Sequence, residues 1–177
     1  MHTKKLHLRK SRSGYHLKDG EDVLATLDIH NAHASSATAK VDDRRWDFKR
    51  ANILKRDIRI SEGSSDEQPA LFCSDWKCKG VLNLNGKQYF WGPVNKLWTH
   101  WNWRDEDGKE IIRVKTKPSF LDIEGEVHGG NDLTEKDNKY LALVGWYMLL
   151  LHTQDPDALV FAGIESSIKK LKSFVSR

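Results

Sequence analysis

Cysteine is nearly absent: Cys73 and Cys78 are the only two in 177 residues. That excludes a disulfide scaffold. Zinc needs four ligands at usable spacing, and here there is no second pair and no nearby histidine, so two idle thiols are expected. No run approaches the roughly 20 apolar residues of a bilayer-spanning helix. The basic stretch Met1–Lys10 is not followed by an apolar one, so no signal peptide is expected. Nucleophile elbow, phosphate-binding glycine loop and HExxH pattern are all missing. The hydrophobic share is low, 38% with a mean hydropathy of −0.65. Seven tryptophans offset this, because each ring buries roughly 150–250 Å². A single intracellular domain with a real core follows.

One unbroken apolar run stands out, from Leu141 through Val144, Gly145, Trp146, Tyr147 and Met148 to Leu151. A helix made from it is apolar on every side and must be enclosed. At this length a buried core helix is expected. Asp132 stands three before Glu135, as in a capping box. The helix is therefore placed at about 133–152, ended by Asp155-Pro156.

Residues 1–131 read as short strands. Leu6 and Leu8, Tyr15 and Leu17, Trp46 and Phe48, and Ile58 and Ile60 alternate with polar residues. Asn85-Gly86 between apolar segments is a hairpin signal, since a type I′ turn needs positive φ at both central positions. Leu97, Thr99, Trp101 and Trp103 share one face by period two, and Asp105-Glu106-Asp107-Gly108 turns the chain into Ile112 and Val114. Residues 31–39 and 61–69 read as loops. Many short strands at this spacing mean a sandwich or barrel. Beyond the central helix, Ile164, Ile168, Leu171 and Val175 recur at helical spacing among Lys169, Lys170 and Lys172, which predicts an amphipathic helix.

Strands first and one all-apolar helix last resembles the tubby C-terminal-like superfamily, which includes the tubby-like, LURP-one-related and phospholipid scramblase families. The residues that carry the resemblance are Lys139 to Leu151 and the acidic-Gly hairpin at Asp105–Gly108. It covers about residues 5–153. The resemblance implies a mainly β fold: a closed antiparallel β-barrel of about twelve strands, enclosing the hydrophobic helix because a barrel so wide cannot be filled by its own side chains. The domain then spans 1–153, and 154–177 is an amphipathic helix or tail. Gly145 fits such a helix where a strand or a large Trp comes close.

Charge is uneven. Residues 1–60 hold 14 Lys/Arg against 8 Asp/Glu, while residues 61–153 hold 11 against 14. An excess in one stretch hints at an anionic partner. The candidate ligand-binding residues are Arg44, Arg45, Lys49, Arg50, Lys55 and Arg56, since Arg offers bidentate and Lys point-charge contacts to a phosphorylated headgroup. Asp42, Asp43, Asp47 and Asp57 are interleaved, so a neutralised, solvated face is the alternative. Tyr89, Phe90, Trp91, Trp98, Trp101 and Trp103 form either a stacking platform or core, with Trp91 or Trp98 the expected exposed member. His100 is expected to point away from Trp101 and to be neither ligand nor base. The acidic Asp105–Asp107 turn lacks the ligand spacing of a calcium loop.

No catalytic residue, metal or cofactor is expected. Tubby-like members bind phosphoinositides, so the resemblance implies a non-catalytic module for anionic lipid headgroups or a membrane adaptor, cytoplasmic or peripheral, with no transmembrane span. Nucleic acid is not an expected partner. The rival classes are a calycin-like small-molecule carrier, which needs an empty lumen, and a protein-interaction domain docking through 156–177. The buried-helix expectation covers Leu141, Leu143, Val144, Trp146, Met148, Leu150 and Leu151.

Overall fold

The computed structural model describes residues 5–30, 35–51, 57–63, 70–74, 79–84, 86–95, 97–116, 124–130 and 133–154. They are mainly β, with one helix near the C-terminus. The strands are β1 (Lys5–Lys10), β2 (Gly14–Asp19), β3 (Asp22–Ile29), β4 (Ser36–Val41), β5 (Arg44–Arg50) and β6 (Ile58–Glu62), followed by β7 (Ala70–Ser74), β8 (Gly80–Leu84), β9 (Lys87–Pro93), β10 (His100–Arg104), β11 (Glu110–Thr116) and β12 (Gly125–Gly129). The helix α1 spans Glu135–Gln154. Every pairing is antiparallel and follows chain order. The order returns to its start, because β1 pairs with β2 on one side and with β12 on the other, through Leu6↔Val127 and Leu8↔Gly125. A strand order that returns to its start has no edge strand.

The helix lies inside. Leu141, Leu143, Val144, Trp146, Tyr147 and Leu150 are each 0% exposed, and Met148 and Leu151 are no more than 5% exposed. Its contacts reach strands all round the ring. Trp146 packs edge-on against Tyr15 of β2 at 5.5 Å between ring centroids, Tyr147 against Phe48 of β5 at 5.3 Å, and Tyr140 against Trp46 of β5 at 4.9 Å. On another side Gly145 faces Trp91 of β9 and Trp103 of β10. Trp103 Nε1 donates to Leu141 O at 2.8 Å, whereas the buried Trp91 Nε1 has no partner. Phenylalanine at 103 should therefore cost about 0.5–1.5 kcal/mol more, for the lost hydrogen bond, than phenylalanine at 91. Parallel urea titrations of the two variants check this.

The small residues of β4 explain one difference from the sequence reading. Positions 31–39 read as a loop, yet β4 begins at Ser36. Ala37 and Ala39 are fully buried, and α1 comes close to β4 where they offer only methyl groups. A strand of alanines and threonine carries almost no hydropathy signal.

The aromatic face also differs. Leu97 and Thr99 precede β10, and Leu97 is 82% exposed. Trp91, expected as a candidate for exposure, is buried beside Tyr89 and opposite Trp103. Parity holds within a strand and cannot be carried across a loop. Trp98 is the exposed member of the set, at 39%.

The helix starts later than expected. Its cap is Thr134, not Asp132: Asp137 N donates to Thr134 Oγ1 at 3.1 Å, and Thr134 Oγ1 donates to Asp137 Oδ2 at 2.8 Å. Three residues on, Asp137 fills the place a glutamate takes in a capping box. Asp132 and the amphipathic segment 156–177 lie outside the described residues.

Candidate anion-binding site

The end of the barrel where α1 begins is here called the lower end, and the end where it finishes the upper. On β5, Trp46 and Phe48 point inward at the helix, so Arg45, Asp47 and Lys49 point outward. The register places Lys40 of β4 opposite Arg45, and Arg59 of β6 opposite Lys49. All four cations are exposed. Directly opposed residues bring their Cβ atoms within about 4.5–5.5 Å, and like charges there are destabilising. The two pairs are four residues apart on β5 (Arg45 and Lys49), roughly 13 Å along a strand. They form an extended cationic strip rather than a pocket.

One carboxylate sits between the pairs. Asp47 Oδ1 accepts from Arg45 Nε at 3.3 Å and Nη2 at 3.1 Å, and from Thr38 Oγ1 at 2.8 Å. Thr38 Oγ1 in turn lies 2.7 Å from His30 Nε2. Because the Thr38 hydroxyl donates to Asp47, it accepts from the imidazole N–H. Partial burial raises the Asp47 pKa, but the Thr38 and Arg45 hydrogen bonds outweigh it, so the carboxyl is held below its ordinary value. A depressed carboxylate favours folding at neutral pH, and that contribution fades as the pH falls through the acid range. Among the described residues no carboxylate forms an ion pair with Lys49 or Arg59.

Of the six residues singled out by sequence, Arg45 and Lys49 share this face. Arg44 has the opposite parity, sits at the lower end and pairs with Glu62 at 3.1 Å. Arg50 lies at the upper end on the helix-facing parity, near Tyr147. Lys55 and Arg56 lie outside the described residues. Lys40 and Arg59 are not among the six, because only strand register brings them beside Arg45 and Lys49.

The other candidates resolve simply. The rings of Trp91, Trp101 and Trp103 pack together as core, with Trp91 and Trp101 stacked at 5.6 Å. His100 faces outward, its Nδ1 3.0 Å from both Asn95 Nδ2 and Thr99 Oγ1. Among the described residues there is no group of three or more His, Cys, Asp or Glu able to hold a metal. No helix among them is long and apolar enough to cross a membrane. Two open clefts lie on the outer surface, one against β11 and β12 beside Arg113 and His128, and one against β1 and β2 beside His7, Arg9 and Lys18. Along the same sides, carboxylates pair with the cations: Arg9 with Glu124, Lys5 with Glu126 and Arg113 with Glu110. No protein-family model matches the chain, and no curated protein or solved structure matches it either.

Proposed function

We propose that this chain is a non-catalytic module of the tubby-like kind that binds anionic lipid headgroups, phosphoinositide-like in charge, at the cytoplasmic surface of a membrane. The observation that carries the reading is the pair of like-charged cross-strand contacts, Lys40↔Arg45 and Lys49↔Arg59, on one outer face. A fold selected for stability alone has no reason to oppose cations twice on adjacent strands. A polyanionic surface turns that cost into binding. The ring of strands around an apolar helix, with the acidic hairpin at Asp105–Gly108, is the arrangement that the superfamily resemblance implies.

The carrier alternative needs an empty lumen, and here α1 fills it. Docking through 156–177 concerns residues outside the described part of the chain.

Vesicle cosedimentation tests the proposal. Binding to vesicles containing phosphatidylserine and phosphoinositide should fall steeply as salt rises, since exposed charges are screened beyond about 8–10 Å at physiological ionic strength. Lys49→Ala with Arg59→Ala should weaken binding without loss of fold. Asp47→Asn removes the carboxylate that sits between the two pairs and should strengthen it. Equal binding to neutral vesicles, or none to anionic vesicles at low salt, contradicts the proposal.

A further inference from the structure

Histidines on the outer wall have a regular partner. Among the described residues, register sets each strand histidine across from a lysine or arginine. His7 of β1 faces Lys18 of β2, His16 of β2 faces Arg9 of β1, and His100 of β10 faces Lys115 of β11. His128 of β12 faces Arg113 of β11 and Lys5 of β1. With the imidazole neutral, such a pair carries one charge. In acid it becomes two like charges directly opposed, which is destabilising unless an anion lies over it.

Two of these pairs adjoin. Leu6, Leu8, Tyr15 and Leu17 point into the barrel, so His7, Arg9, His16 and Lys18 form a square on the outside of the β1–β2 hairpin. Opposed Cβ atoms lie within about 4.5–5.5 Å and diagonal ones within about 7–8 Å. An open cleft against the square is lined by His7, Arg9, Lys18, Gly20 and Glu21. The other outward rings are engaged elsewhere. His30 is held by Thr38, and His100 by Asn95 and Thr99. At His128, burial and then the Lys115 charge hold the imidazole below its ordinary pKa. Among the described residues neither the His7 nor the His16 ring has a hydrogen-bond partner.

The carboxylates around the square are already engaged. Glu124 pairs with Arg9, and Glu21 lies 3.7 Å from Lys18. Glu126, across from His7 on β12, pairs with Lys5 at 3.0 Å and lies 3.6 Å from His128. Across from His16 on β3 stands Thr26, and Asp28, two residues on, accepts from Ser13 Oγ at 2.6 Å. With neutral histidines the two cations of the square are thus matched. Protons on His7 and His16 add charge that no further described carboxylate facing them offsets. The square also continues the cationic strip: register carries one outward row from Arg9 through His16, Thr26 and Lys40 to Arg45. At the usual strand spacing that row is roughly 19 Å long.

We infer that the outer face of the β1–β2 hairpin is a second contact for an anionic bilayer, and that protonation of His7 and His16 switches it on. Neutral, the square is charge-balanced. Protonated, it gathers four cations beside an open cleft, and lipid phosphates supply the counter-charge. Linkage makes the effect reciprocal: a surface that prefers the protonated square must also make His7 and His16 hold their protons more tightly. The inference rests on the anionic-lipid reading above and adds a second area of the wall and its dependence on pH.

Cosedimentation of the full chain with phosphatidylserine–phosphatidylcholine vesicles at low salt tests it, at about pH 7.5 and about pH 5.5, on either side of the histidine range. Phosphatidylserine keeps its charge between the two. Each cation gained at an anionic surface strengthens binding roughly fivefold, so wild-type affinity should rise roughly tenfold or more in acid. His7→Gln with His16→Gln should remove most of that rise, each single variant should lose part of it, and His100→Gln should keep it. Both rings lie on the outer wall, so melting at the higher pH should be unchanged. If wild type binds no anionic vesicle at either pH, the lipid reading itself fails. If it binds equally at both, or if the double variant keeps the full rise, the lipid reading stands and the switch is wrong. Resonances of His7 and His16 that shift with inorganic phosphate but not with vesicles would assign the square to a soluble phosphate and overturn the bilayer contact.

Discussion

Replacing Trp146 by alanine is expected to cost about 3–5 kcal/mol and to lower the melting temperature by roughly 6–20 °C. The ring sits at the middle of α1 with no exposed surface. It packs edge-on against Tyr15, and it lies so close to β12 that a side chain at Gly125 would have its Cβ 2.6 Å from Trp146 Cζ3. Strands on both sides of the β1–β12 seam are thus shaped around this one ring. Its indole N–H is buried without a partner, so truncation loses packing and leaves no hydrogen-bond partner stranded. The effect should be almost purely that of a cavity. A tryptophan on the solvent side of a surface helix would instead change stability by about 0.5 kcal/mol or less. Urea unfolding of the variant separates the two by a wide margin.

Gly145→Ala should destabilise the protein, although on any exposed helix the same change is worth about 1 kcal/mol in the opposite sense. A Cβ at position 145 would lie 2.6 Å from Trp91 Cζ3 and 2.9 Å from Trp103 Nε1. Neither indole can move freely. Trp103 is tied to Leu141 O, and Trp91 is stacked on Trp101. Overpacking of this sort costs about 1–3 kcal/mol, or more where the backbone must shift, so the clash should outweigh the gain in helix propensity. The sign alone is informative. Equilibrium unfolding that shows a more stable Gly145→Ala variant would mean that the helix does not lie against Trp91 and Trp103.

The mainly β class and the single apolar helix were legible because they are written in local pattern. The run 141–151 has no polar side, so it can only be interior. Gly86 and Gly108, at φ +75° and +79°, occupy the turn positions that the hairpin signals marked. The strand β4 was hidden because Ala37 and Ala39 are small for a reason that lies outside the strand, in the helix packed against them. Trp91 was misjudged because its face is set by β9, while the sequence offered only the period of β10. The candidate site was half legible. Runs of Lys and Arg on β5 are visible in sequence, but Lys40 and Arg59 join Arg45 and Lys49 only through register, which is tertiary information. Arg44 and Arg50 show the converse: adjacent in sequence to the right residues, they fall on the other parity and at opposite ends of the strand.

The most direct test of the enclosed helix is a set of nuclear Overhauser contacts from α1 in solution. The account predicts contacts from this one helix to strands on all sides: Trp146 to Tyr15 and Gly125, Tyr147 to Phe48, Tyr140 to Trp46, and Gly145 to Trp91 and Trp103. Contacts confined to a few neighbouring strands, with the opposite side of 141–151 open to a paramagnetic relaxation agent in the solvent, would contradict it.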